Sequence, residues 1–291
     1  MPLRTHSPDE HPSTYFVQDR SNEAELQRLG LQDQLLTASM GGVLPEQRDL
    51  TRFSRVLDVG CGTGGWLIEA AKAYPGFTIL HGVDVSRRMV EYARAQAREQ
   101  QVSDRVEFQV MDALRMLEFP DGFFDLVNQR FGGSFLRTWD WRKLLEEYQR
   151  VCRPGGIIRI TEADFTVKST SAALEQLSCL LVRAFSQAGH LFTPQGESLL
   201  NELAPMLHRF GLQQLQTRRL SVEYRSGTKE GQAFVEDMRH VFRTCLPFLH
   251  KWTRVPDNYE SLYQQALRDL EQPGCVSTLD VLTVWGERAS R

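Results

Sequence analysis

Apolar positions along this chain recur at two periods, and the switches between them outline the architecture. Residues 22–40 (NEAELQRLGLQDQLLTASM) carry apolar side chains at helical spacing, which predicts an amphipathic helix that Gly41, Gly42 and Pro45 end. A compact apolar run over 55–59 (RVLDV) then predicts a buried strand running into glycines. Downstream the pattern alternates, with helices predicted over 65–74, 86–100 and 141–152 and strands over 78–83, 106–110, 124–128 and 157–161. Strand and helix in turn at this pace predict βαβ units, a mostly parallel sheet with helices on both faces. Beyond Ala163 the rhythm slackens. Helices are expected over 172–188 and 194–210, a strand over 212–224, a helix-rich stretch over 229–271 and a last strand over 279–285.

The fold expected is therefore α/β, a doubly wound sheet of seven strands with an N-terminal helical lid and a helical insertion before the last strand. By position, 1–50 form an arm and lid helix, 51–228 the main domain, 229–272 a cap and 273–291 the last strand. The cap carries Phe234, Phe242, Phe248, Trp252 and Tyr259. These rings either seal an extra helical layer or wall off a ligand site, and spacing alone leaves both readings open.

Composition narrows the class. With 291 residues, 41% hydrophobic, 24% charged and a formal charge of -3, the chain is long enough to bury a sizeable core. The slightly acidic total does not favour nucleic acid, whose binding needs a basic face. Five cysteines without CxxC spacing read as reduced thiols, with no zinc site implied. The polar start lacks the apolar core of an export signal and no uncharged apolar run reaches the length of a spanning helix, so a cytoplasmic protein without a membrane span is expected.

The chemistry concentrates in Val56-Leu57-Asp58-Val59-Gly60-Cys61-Gly62-Thr63-Gly64-Gly65. A strand, a glycine-dense turn and a helix start allow a ligand to lie against backbone and helix N–H groups. Gly60, Gly62 and Gly65 satisfy GxGxxG, a dinucleotide pattern, and Gly60, Gly62 and Gly64 the tighter GxGxG. An acidic Asp58 two places before the first glycine opposes a pyrophosphate and suits a cationic ligand. Asp84, ending the second strand, is placed for a ribose diol of either cofactor. Asp112 follows the third strand, where an adenine edge would lie.

These motifs, in order and spacing over roughly residues 55–161, resemble the class I S-adenosylmethionine-dependent methyltransferases: LDVGCGTG, VDVS with Met89 five residues after its Asp, the MDA segment and the RPGG turn. The LLEEYQRVCRPGG stretch is similar to branches of that family that methylate quinones and natural products. The resemblance implies a Rossmann-like sheet and S-adenosylmethionine as cofactor. Gly60, Gly62 and Gly64 would carry its methionine part, with Asp58 near the ammonium or holding the loop amides and Asp84 and Val85 at the ribose. Met89 would pack on adenine, while Met111, Asp112 and Ala113 line its edge. Asn128 and Arg130 end the fourth strand, where donor and acceptor meet, and Arg130 would pair with the cofactor carboxylate. The segment Asn128-Gln129-Arg130-Phe131 keeps the Asn and aromatic of base-methylating relatives but lacks both prolines, which argues against a base methylase. Tyr15 in the leader is the candidate lid residue.

The reading is thus methyl transfer to carbon, nitrogen or oxygen of an apolar small molecule, with Phe131, Glu162, His190 and Trp252 as candidate pocket residues. Glu162, Asp164 and His190 are the available bases, none singled out, and no metal site is indicated. A methyltransferase acting on RNA or protein and an NAD-dependent oxidoreductase are the competing readings, and a homo-oligomer stays open.

Overall fold

A computed structural model describes residues 23–194 and 198–289. Ahead of the sheet lies α1 (Glu23–Ser39), followed by β1 (Arg55–Val59), α2 (Gly65–Ala73), β2 (Ile79–Asp84), α3 (Arg87–Glu99), β3 (Val106–Val110), β4 (Phe124–Arg130), α4 (Asp140–Val151) and β5 (Cys152–Ala163). The second half runs β6 (Lys168–Ser169), α5 (Ala172–Gln187), α6 (Ser198–Arg209), β7 (Gln213–Arg225), α7 (Lys229–Thr244), α8 (Leu246–Trp252), α9 (Tyr259–Glu271) and β8 (Val276–Glu287). The helix expected over 194–210 thus begins at Ser198.

The strands order as β3-β2-β1-β4-β5-β8, with β7 on the far edge of β8. β1 to β5 pair in parallel and β8 is antiparallel to β5 and β7. Ligand sites in such sheets form where the strand order reverses, here at the carboxyl ends of β1 and β4. Among the described residues the sheet has eight strands rather than the seven expected. β5 leaves β8 after Ala163 opposite Val281, and Lys168 and Ser169 resume the pairing opposite Thr278 and Ser277. A two-residue strand is too short to show a period, so no pattern announces it.

Alternation within the strands sends side chains to two helix layers. Val56, Leu126 and Ile157 pack with Trp66, Leu67 and Val90 of α2 and α3, while Leu57, Val127 and Ile158 pack with α4 and α6. A third cluster joins α1, α5, α7, α8 and α9 past the ends of β4 and β5, where Phe131, Ala163 and Phe165 pack on it.

Gly64 shows why the turn after β1 is glycine-rich. Its φ is +79°, and an added Cβ would lie 2.6 Å from the Phe108 ring and 2.8 Å from Ala93. The position therefore serves the approach of α2 to α3 and β3. Left-handed backbone and overpacking together should make Gly64→Ala cost about 2–4 kcal/mol. Urea unfolding measures this, and a loss under about 0.5 kcal/mol would contradict that packing role.

Candidate functional site

The turn leaving β1 is tied to β2 at both Gly60 and Cys61, whose amides donate to the Val83 carbonyl at 2.8 and 3.0 Å. Gly62 stands free of side chains at φ +51°, and a Cβ there would meet nothing within 4 Å. Its amide donates to Asp84 Oδ2 at 3.0 Å, and Ser86 N donates to Oδ1 at 2.8 Å. One carboxylate thus joins the glycine turn to the start of α3. Against this surface lies a cavity of about 320 Å³. One end is lined by Asp58, Gly60, Gly62, Thr63, Asp84 and Met89, the other by residues of β7, β8, α5 and α7, with Phe131 from the turn after β4 between them. Leu29, Gln32, Asp33 and Leu36 of α1 also line it.

Beneath the turn runs a buried polar chain. Asp58, Asn128 and Arg159 stand at one level of three neighbouring strands. Asn128 Nδ2 donates to Asp58 at 2.7 Å, Arg159 Nη1 donates to Asn128 Oδ1 at 2.8 Å, and Arg159 Nε meets Glu46 at 2.7 Å. Burial pushes the Asp58 carboxyl up to about 7 against the pull of the Arg130 charge and the Asn128 hydrogen bond. Asn128 is fully buried and holds Asp58, and it does not line the cavity.

Arg130 does line it, but its guanidinium is held by α1, through an ion pair with Asp33 and a hydrogen bond to Thr37 Oγ1 at 3.1 Å. Phe131, at φ +57°, opens a tight turn over Gly132–Ser134. Glu162 clamps that turn: Oε1 accepts from Gly132 N at 2.8 Å and Gln129 Nε2 at 3.1 Å, and Oε2 from Gly133 N at 3.1 Å. Tyr148 donates to Gln129 Oε1 at 2.6 Å. His190 Nδ1 lies 3.0 Å from the Gly133 carbonyl, and its ring packs edge-on beside the touching pair Phe185 and Phe248.

Of the four residues expected in the acceptor pocket, three lie elsewhere. Glu162 and His190 stand behind the turn, outside the cavity lining, because both are spent on backbone groups of Gly132 and Gly133. Trp252 also lies outside it, at the end of α8, packed on the helical cluster with Lys251 Nζ 5.3 Å from its ring. α7 is the part of the 229–272 stretch that reaches the cavity, through Phe234, Asp237, Met238 and Val241.

Val85, Gly64, Met111, Asp112 and Ala113 are likewise not in the lining. Met111 packs in the core beside α4, and Asp112 Oδ1 accepts from Leu114 N at 3.0 Å in a turn of its own. Tyr15 lies outside the described residues. Gln32, Asp33, Phe135 and Asp237 line the cavity without a signal in local spacing. Arg159 had one, a lone charge inside the apolar run IIRIT, which demands a buried partner.

Residues 56–156 match a family described as a methyltransferase domain. The chain is 31% identical over 179 residues, 58% of its length and 71% of the relative's, to a demethylmenaquinone methyltransferase of Porphyromonas gingivalis. It is 28% identical over 255 residues, 88% of its length and 79% of the relative's, to 27-O-demethylrifamycin SV methyltransferase of Amycolatopsis mediterranei. The fold is similar to that of the YcgJ protein of Bacillus subtilis, with a TM-score of 0.52 at 21% identity over 90% of this chain and 98% of that one. Several other curated relatives match over 36–61% of their own length, under two thirds.

Burial drives the Glu162 carboxyl up to about 8, against the hydrogen bonds from Gly133, Gly132 and Gln129. A carboxyl raised in the folded state favours folding most while protonated, so this contribution fades as pH climbs from the unfolded value near 4 through about 8. The stability of the native chain relative to Glu162→Gln should therefore fall between pH 5 and 8.5. Denaturant unfolding at both pH values checks this, and parallel pH profiles for the two proteins would refute it. Trp252→Ala should cost about 1–3 kcal/mol of stability and leave ligand affinity at the glycine turn unchanged, as calorimetry and thermal melts together would read.

Proposed function

The chain belongs to the class I S-adenosylmethionine-dependent methyltransferases, and from that premise we propose that it transfers a methyl group from this cofactor to a carbon, nitrogen or oxygen of an apolar small molecule. The observation that carries the reading is one cavity that joins the glycine turn and Asp84 to an apolar chamber across Phe131. The residues present fit the cofactor. Gly62 offers open backbone where any side chain would stand, and Asp84 presents a carboxylate from the end of β2.

In this reading Gly60 and Gly62 carry the methionine part, Asp84 and Val85 receive the ribose hydroxyls and Met89 packs on the adenine. Met111, Asp112 and Ala113, next to β3, take the adenine edge as the ring extends beyond the described cavity. Asp58 supplies negative charge near the ammonium, steadied by Asn128, and Tyr15 would close from the leader. Arg130 reaches the cofactor carboxylate only if it shares or exchanges Asp33. The names of the relatives support a small-molecule acceptor.

Bound, the cofactor supplies an electrophilic methyl on a sulfonium, a good leaving group. The protein's share is then orientation and exclusion of water, and well-aligned reactants can gain roughly 7–11 kcal/mol from pre-organisation. Phe131 and Phe135 stand between the two ends of the cavity and limit the approach line. The clamp from Glu162 keeps that turn in place, and the apolar chamber keeps water from the reacting atoms.

Calorimetry with S-adenosylhomocysteine on the native protein and on Asp84→Ala tests the reading. Loss of charged hydrogen bonds to the ribose should weaken binding by roughly 1.5–3 kcal/mol, about ten- to hundredfold. Unchanged affinity in a folded variant would reject Asp84 as the ribose ligand, and no binding by the native protein would reject the proposed function.

A further inference from the structure

A carboxylate of α1 occupies the one guanidinium beside the glycine turn. Asp33, Leu36, Thr37 and Met40 follow the spacing of a single helix face, the inward side of α1. Leu36 and Met40 are buried in the cluster shared with α5 and α7. The two polar members take both terminal nitrogens of Arg130: Nη2 pairs with Asp33 Oδ1, and Nη1 donates to Thr37 Oγ1 at 3.1 Å. The ion pair is shielded, with the side chains of Arg130 and Asp33 10% and 15% exposed. Asp33 Oδ2 lies against Gly65, the first residue of α2, where a Cβ would overlap it. Guanidinium and helix start together suit a carboxylate, and the chain's own fills the place.

The methionine end of the cofactor carries a carboxylate of its own, and cations are scarce here. Among the described lining residues Arg130 is the sole basic side chain. Bidentate pairing needs two donors of the guanidinium fork, and α1 already holds both terminal nitrogens. Burial raises the Asp58 carboxyl, the Arg130 charge lowers it and the Asp33 charge raises it again, so two acids share the field of one cation. A third carboxylate brought in beside both would meet like charge.

Resting on the methyltransferase reading, we infer that Asp33 and the cofactor carboxylate compete for the Arg130 guanidinium, so that cofactor binding exchanges one for the other and loosens the hold of α1. Leu36 and Met40 keep the helix docked on its cluster while the ion pair is exchanged. Apparent affinity for the cofactor is lowered by the fraction of molecules in which Asp33 holds Arg130. A ligand with the nucleoside and the sulfur but no amino-acid end escapes this competition.

The test titrates S-adenosylhomocysteine and 5′-methylthioadenosine, which lacks the amino-acid end, into the full chain by calorimetry. Asp33→Asn keeps an oxygen for Arg130 and removes the competing charge. It should bind S-adenosylhomocysteine roughly three- to thirtyfold more tightly than the native protein and leave 5′-methylthioadenosine within about twofold. Thr37→Val frees α1 from the same guanidinium without removing a carboxylate, and it should leave the ratio of the two affinities near the native value. Hydrogen exchange of the native protein needs no variant: amides over 29–37 should exchange faster with S-adenosylhomocysteine bound than with 5′-methylthioadenosine bound. Weaker or unchanged S-adenosylhomocysteine binding by Asp33→Asn, or an equal gain for both ligands, overturns this inference alone. So does a Thr37→Val ratio that shifts as far as that of Asp33→Asn, or equal exchange with the two ligands. Failure of the native protein to bind S-adenosylhomocysteine overturns the function on which it rests.

Discussion

Three consecutive polar residues at the end of a buried strand organise this site. Asn128, Gln129 and Arg130 close β4, the strand at the centre of the sheet, and neither helix layer there can hydrate them. A buried polar group without a partner costs several kcal/mol, so each must find one, and strand alternation sends them to opposite faces. Asn128 turns toward α2 and finds Asp58 and Arg159. Gln129 turns toward α4 and finds Tyr148 and Glu162. Arg130 returns to the first face and captures Asp33 and Thr37 of α1. The acid beneath the glycine turn, the turn after β4 and the covering helix are thus hung from one tripeptide. Removing one member of such a buried charged set leaves the other uncompensated, which commonly costs 3–5 kcal/mol.

The Gln129 branch explains a strained residue. Phe131 is a non-glycine residue at φ +57°, a conformation that persists only where its surroundings over-determine it. Phe131 N donates to the Thr161 carbonyl at 2.8 Å, Ser134 Oγ donates to the Phe131 carbonyl at 2.7 Å, and the Glu162 carboxylate takes the next two amides. A carboxylate in this place looks in sequence like a candidate base beside an active site. Its hydrogen bonds give it a different task, holding an aromatic ring in the wall of the cavity.

Much of the fold is legible because its elements carry their own period. β1 and β3 appear with the bounds that their apolar runs set, and α2 and α3 within a residue or two. β5 is longer than its apolar run, since it begins at Cys152 directly from α4, and the glycines of RPGG lie inside it rather than ahead of it. The site is legible only where chemistry is local. Glycine spacing and Asp84 are read from a dozen or so neighbouring residues, whereas Gln129 meets Glu162 across 33 positions, Arg159 meets Glu46 across 113 and Gln32 meets Asp237 across 205. No period connects such pairs. They follow from sheet order and register, which a single chain does not display.

The separation of hydrophobic clusters gives the two ends of the cavity different freedom to vary. The glycine turn sits over strands and helices whose cores close on both faces of the sheet, so changes there disturb α2, α3 and β4 together. The far end is built from α1, α5 and α7, whose apolar sides belong to a separate cluster buttressed by α8 and α9. Phe248 and Tyr259 are buried in that buttress, and Tyr259 donates to the carbonyl of Phe242 in α7 at 2.5 Å. A substitution on the cavity face of α7, at Asp237 or Met238, therefore alters the chamber without entering the cofactor turn, while α8 and α9 hold the helix in place. Loose coupling between a fixed turn and a separately braced wall allows acceptor shape and charge to change while the surface for the methyl donor is kept.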